Sequence, residues 1–206
     1  AVLTHSDVRS VIEDHETFSN AAGSHLSVPN GMDPPEHGIF REVIEPYFKA
    51  DRLRDFEPTC RQIAQDIISK ITPNTSFDVV SHVAKPFALN IQCAFLGWSK
   101  SLTGTLGEWL EANQQAIVNN DRATLKQKAD EFEALIHQQL DVRRQSGSAK
   151  DDNTCRLMHE TVTVNGETRR LHEEEVVSIL RNWTAGEVGT IAAAIGSIFY
   201  FFAQNP

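Results

Sequence analysis

From Val188 to Ala203 the chain runs sixteen residues without a charge. Glu173, Glu174 and Glu175 lie upstream of this run, and acids suit a helix N-terminus because the macrodipole is positive there. One long helix from about residue 172 to residue 203 follows. Its apolar half must be covered by something, so the rest of the fold has to be arranged around it. A run of sixteen residues is short of the roughly 20 that span a bilayer. Extending it back to Trp183 brings Glu187 into the hydrocarbon. The expectation is a central buried helix with no membrane partner.

The remaining segments are mostly helical too. Val8, Val11 and Ile12 recur at helical spacing between Ser6 and Thr17, with Ser6 as N-cap. Residues 18–32 are rich in Ser, Asn, Gly and Ala and form a loop long enough to suggest a function. In DPPEHGIFREVIEPYF, Asp33 is the expected N-cap, two prolines fill the first turn and Glu36 completes a capping box. Pro46 ends or kinks that helix. Phe56, Cys60, Ile63, Ile67 and Ile71 mark a face of the next one. The nearly uncharged FDVVSHVAKPFALNIQCAFLGW suits a helix buried on most sides and kinked at Pro86. Two more helices follow, the second with Leu125, Ala129, Phe132, Ile136 and Leu140 on one face. SGSAKDDN is a solvated linker by composition, and TVTVNGETRRL is a hairpin turned at Asn165-Gly166. The fold class is mainly α with a small β-hairpin, in a single unit over 1–206.

Composition bears on partners. A net charge of -9 argues against nucleic acid, whose phosphates need a basic face. Cys60, Cys93 and Cys155 are odd in number and widely spaced, which fits neither a disulfide framework nor a zinc pattern. A reducing, cytoplasmic setting is expected, and the N-terminus shows no basic start followed by an apolar stretch.

Two segments could carry chemistry. His37 and Arg41 lie four apart on one helix, so together they can hold a carboxylate or phosphate, or simply face solvent. Ala185-Gly186-Glu187-Val188-Gly189-Thr190 places two glycines inside a helix, at a cost of about 1 kcal/mol each relative to Ala. A close backbone neighbour or a local opening of the ladder would offset that cost. Thr190 can bond its own backbone one turn back, and Glu187 precedes it by one turn. The competing interpretation is helix packing through small residues, with Glu187 paired to an Arg. The HEEE stretch at residues 172–175 is a solvated helix start and not a metal site.

Taken in order, these segments resemble the cytochrome P450 superfamily, specifically its soluble bacterial members. The resemblance rests on HSDVRSVIEDHETFSN, on PPEHGIFREVIEPYF with its His-x-x-x-Arg pair, on FLGW and the two helices after it, and on VVSILRNWTAGEVGTIAAAIGSI. It implies a partial P450 fold that ends in the long distal helix and lacks the C-terminal haem-thiolate part. The implied cofactor is haem b, its iron-ligand cysteine not present in this chain. His37 and Arg41 would donate to the propionates, and Ala185, Gly186 and Gly189 would lie at the distal face, where a π-type widening is implied. Thr190 would be the oxygen-activating threonine. The acid that often precedes it is replaced by Gly189, which leaves Glu187, about 200° away around the axis, as the proton relay. Leu26 and Val28 would touch substrate, and the region from Gly104 to Asn120 would border its entrance.

The function implied is that of a fragment of a monooxygenase acting on a small organic substrate with O2. Its electrons would come through a ferredoxin or flavoprotein reductase. The chain by itself should be inactive. The alternative is a haem-free helical binding module that self-associates through SIFYFF.

Overall fold

The computed structural model describes residues 2–23, 25–146 and 151–205. Residues 147–150, half of the expected linker, lie outside them. Helix α1 (His5–Glu13) is capped by Thr4, whose Oγ1 accepts from the Asp7 amide at 3.2 Å, so the start lies before Ser6. None of its side chains is buried.

Helix α2 (Glu36–Ile44) has Pro35 at its N-cap position and no side-chain cap. Asp33 is used elsewhere: its carboxylate accepts from Ser19 Oγ at 2.5 Å and from the Asn20 amide at 2.8 Å. Those bonds hold its carboxyl below the usual range and pin the preceding loop to the helix start. Pro46 turns the chain into a 3-10 segment (Glu45–Phe48), because it can supply no amide to continue the α ladder. Helix α3 (Ala50–Ile68) has Ile67 as its buried residue, so its apolar face is only half covered.

A π-type turn (Val80–Ala84) leads into α4 (Lys85–Leu96), with Pro86 in the first turn where its missing amide is harmless. Gly97 ends α4 at φ +73°, and a Cβ there would lie 2.2 Å from the Cβ of Asp152. That closeness has a purpose. Arg143, with its side chain 1% exposed, binds both Asp152 carboxylate oxygens at 2.8 Å and the Gly97 carbonyl at 2.9 Å.

Helices α5 (Leu102–Val118) and α6 (Arg122–Ser146) pack together. On α6 the expected face is buried from Phe132 through Ile136 to Leu140, whereas Leu125 is half-buried and Ala129 exposed. After α7 (Asn153–Leu157), strands β1 (Thr161–Val164) and β2 (Glu167–Arg170) pair antiparallel, Val164 opposite Glu167. Asn165 and Gly166 turn the hairpin with positive φ, as the sequence requires.

The long helix comes last: α8 (Glu173–Arg181), a widened π turn (Asn182–Gly186) and α9 (Glu187–Gln204). The acidic start is not simply solvated. Glu175 is 7% exposed, and Arg169 donates to its two oxygens at 2.7 and 2.8 Å. Helix α4 and the turn before it cross α9 through Ala84, Ala88, Val188 and Ala192, small enough for close approach. The expectation of a buried central helix holds for α8 and fails for the end of α9, where Ile198 to Phe202 are all exposed. By length and composition alone, Glu173–Gln204 could cross a membrane.

Candidate functional site: the open face of the long helix and the cleft beside it

The widened turn lies where the two glycines suggested a local opening. Thr184, at its centre, is 2% exposed and donates Oγ1 back to the Leu180 carbonyl at 2.7 Å. Such back-bonding occupies the carbonyl that a regular α turn would use and eases the ladder open. Beyond this turn the helix presents three faces. Val188 and Ala192 bury themselves against α4. Trp183, Glu187 and Ile191 line a cleft of about 490 Å³. Gly186, Gly189 and Thr190 are exposed.

That third face bears on why the glycines are there. A Cβ built on Gly186 or Gly189 would meet nothing within 4 Å. Packing through small residues therefore does not explain them among the described residues, and Glu187 forms no ion pair there. Thr190 Oγ1 donates to the Gly186 carbonyl at 3.2 Å, the one-turn-back bond the sequence allowed. Ala185 is half-buried and packs on the main core. Glu187 precedes Thr190 by one turn, yet the two do not share a face. The structure turns Glu187 into the cleft and leaves Thr190 outside it.

The far wall of the cleft comes from α2, α3 and α4. Arg41 lines it, while His37, half-buried one turn earlier, does not. Neither side chain makes a hydrogen bond or ion pair among the described residues. Val28 is fully buried and lines the cleft, whereas Leu26 is 42% exposed and lies outside it.

Several wall residues were not singled out from the sequence. Trp183 stands at the centre of an aromatic cluster, 5.1 Å from Tyr47, 5.3 Å from Phe48 and 5.9 Å from Phe95 between ring centroids. Gln92, 8% exposed, brings a carboxamide to the same cleft. Two amides, Asn90 and Gln92, inside the uncharged run FALNIQCAFL were the available signal. A larger cavity of about 570 Å³ opens between α3 and α4 near Lys70, His82 and Lys100. It contains none of the expected residues, so size alone does not pick the site.

Comparison with known proteins decides the family. No family model matches the chain. The Probable cytochrome P450 127A1 of Sinorhizobium fredii is 33% identical to it, over 97% of this chain and 48% of the relative. The crystal structure of CYP101J2 superposes with a TM-score of 0.79 at 20% identity, over 95% of this chain and 49% of that one. The chain belongs to the cytochrome P450 superfamily. The Erythromycin C-12 hydroxylase of Saccharopolyspora erythraea aligns along the full chain at 23% identity and 53% of its own length. The chain thus spans about half the length of the curated P450 relatives it matches.

Membership in this P450 superfamily implies a haem, and the residues can be tested against one. A flat macrocycle needs a face free of side chains beside it and donors for its carboxylates. Gly186 and Gly189 leave open space, and His37 and Arg41 are unpaired donors. These groups fit one face and the carboxylate edge of the group. Cys93 and Cys60 are poorly suited to supply a thiolate ligand. Cys93 is 1% exposed and burial pushes its thiol up to about 11, while burial also raises the Cys60 thiol. Among the described residues no three His, Cys, Asp or Glu side chains come together to hold a metal.

Proposed function

We propose that this chain is the front and central portion of a haem-thiolate monooxygenase that places one oxygen atom from O2 into a small organic substrate. The observation that supports it most is the widened turn at residues 182–186, followed by an open face of Gly186, Gly189 and Thr190. When bound, the haem would supply the dioxygen chemistry, with its thiolate pushing electron density toward O–O cleavage. The chain's own residues would do the rest. His37 and Arg41 would hold the propionates, Arg41 by a fork. Ala185, Gly186 and Gly189 would keep the distal face clear. Thr190 Oγ1, now bonded within the helix, would exchange that bond for a water and pass on a proton. Glu187 would feed protons from the cleft side. Val28 would bound the substrate space, with Leu26 a weaker contact because it points away.

Electrons would come through a ferredoxin or flavoprotein reductase, in a cytoplasmic setting with neither nucleic acid nor membrane as partner. The 1–206 segment would act as one partial domain. Titration with haemin, followed by tryptophan fluorescence and the haem absorption band, tests this directly. Quenching that weakens in Arg41→Ala and His37→Ala is expected. A reduced, carbon-monoxide-treated sample should lack a thiolate-type Soret band and should hydroxylate nothing alone. A thiolate-type band would mean that this chain supplies the ligand itself.

A second reading has its own observation. Ile198, Phe199, Tyr200, Phe201 and Phe202 are all exposed, a large apolar surface to leave in water. On that reading the chain is a haem-free helical module that self-associates through the end of α9. Sedimentation discriminates, because a stable monomer removes this alternative.

A further inference from the structure

The segment that brings Val28 into the cleft is held by three side chains of the long helix, about 150 residues away in sequence. Ser178 Oγ accepts from the Val28 amide at 2.8 Å and donates to the Leu26 carbonyl at 2.9 Å. Arg181 donates to that same Leu26 carbonyl. Asn182 Nδ2 donates to the Val28 carbonyl at 3.0 Å. Residues 178, 181 and 182 lie on one helix face by their spacing of three and four. Ser178 is 2% exposed and Val28 fully buried. Water therefore cannot replace the bond between them, and losing it would strand a buried amide.

The position of Asn182 gives this contact further reach. It is the first residue of the widened turn, and its neighbour Trp183 lines the cleft together with Val28. The loop backbone and the opened ladder thus share a side chain. We propose that Ser178 and Asn182 are positioning residues: they fix Val28 in the cleft wall and couple it to the widened turn at 182–186. A ligand that displaces Val28 then disturbs the turn that sets Gly186 and Thr190. The link to catalysis rests on the monooxygenase reading, whereas the coupling itself does not.

Amide hydrogen exchange on the intact chain tests it. Ser178→Ala should accelerate exchange about tenfold or more at residues 26–28 and, together with them, at 183–186. The buried stretch from Phe132 to Leu140 should stay unchanged. Ser178→Thr keeps the hydroxyl and should restore both segments. Asn182→Ala, which removes one bond and leaves Ser178 in place, should accelerate the same two segments. Faster exchange at 26–28 with 183–186 unaffected in both variants would overturn the coupling. So would acceleration that spreads equally into α6, which marks general destabilisation. Failure of haemin to bind the unaltered chain would remove the monooxygenase reading and leave these exchange results standing.

Discussion

The two halves of the long helix obey different rules. In α8, six of nine residues are buried: Glu175, Val176, Val177, Ser178, Ile179 and Leu180. In α9, the more apolar half, Val188 and Ala192 are the buried residues of eighteen. Apolarity states what a segment needs covered, and neighbours decide whether that need is met. Helix α8 meets α6 and the loop at 26–28, while α9 meets mainly α4 and the π-type turn before it. A helix can therefore be anchored at one end and bare at the other.

Substitutions can break or sharpen that contrast. The largest effect is expected on the closed side, at Arg143→Ala. It leaves the Asp152 carboxylate and the Leu96 and Gly97 carbonyls without their buried donor. A loss of about 3–5 kcal/mol in urea unfolding is expected. Leu180→Ala should cost about 2–5 kcal/mol, since Leu180 is 0% exposed and its removal leaves a cavity. Phe199→Ala, in the bare half, should change stability by less than about 0.5 kcal/mol. Equal losses at Leu180 and Phe199 would mean that the end of α9 is covered in solution, and the contrast would collapse.

Acid should loosen α8 before α9. Burial alone would raise the Glu175 carboxyl, but the Arg169 fork and the His172 amide outweigh it and hold it below its ordinary 4.5. A depressed folded value contributes stability that is complete above the unfolded value and lost as pH falls through the folded one. Protection of the amides at residues 173–176, measured against their intrinsic exchange rates, should therefore fall as pH drops below about 4.5, and Glu175→Gln should flatten that response. Gly186→Ala should act in the opposite direction. Its φ is -71° and a Cβ there has open space, so stability should rise by about 0.5–1 kcal/mol. Haemin affinity should fall in the same variant, which separates a face kept bare for a ligand from one merely unused.

Much of this was legible because it depends on local chemistry. Asn165-Gly166 demanded a tight hairpin turn, Pro46 demanded an end to α2, and the glycines at 186 and 189 implied an opened or closely approached ladder. The candidate site was legible in its parts. Arg41, Glu187 and Val28 do line one cleft, and Thr190 does bond one turn back. What escaped were partners distant in sequence. Nothing around Ser178 announces a bond to Val28, and nothing near Asp33 announces that its carboxylate belongs to Ser19 and Asn20. Caps went wrong for the same reason, since Thr4 and Ser6 are equally good by type and only geometry chooses. Burial along the long helix was misjudged because hydropathy contains no information about which neighbours arrive.

The widened turn also resets the count along the helix. A π turn absorbs one residue more than an α turn, so every side chain after Gly186 is shifted by about 100° from the uninterrupted count of α8. By an uninterrupted count Val188 and Ala192 would stand about 120° from Val176 and Leu180 respectively, and the residue absorbed by the turn brings them back to within about 20° of the stripe that buries Val176, Ile179 and Leu180. In this helix, length and phase are separate quantities. Removing a single residue between 182 and 186 would keep every downstream side chain chemically intact and turn all of them to the wrong neighbours, a harsher change than most substitutions on either side.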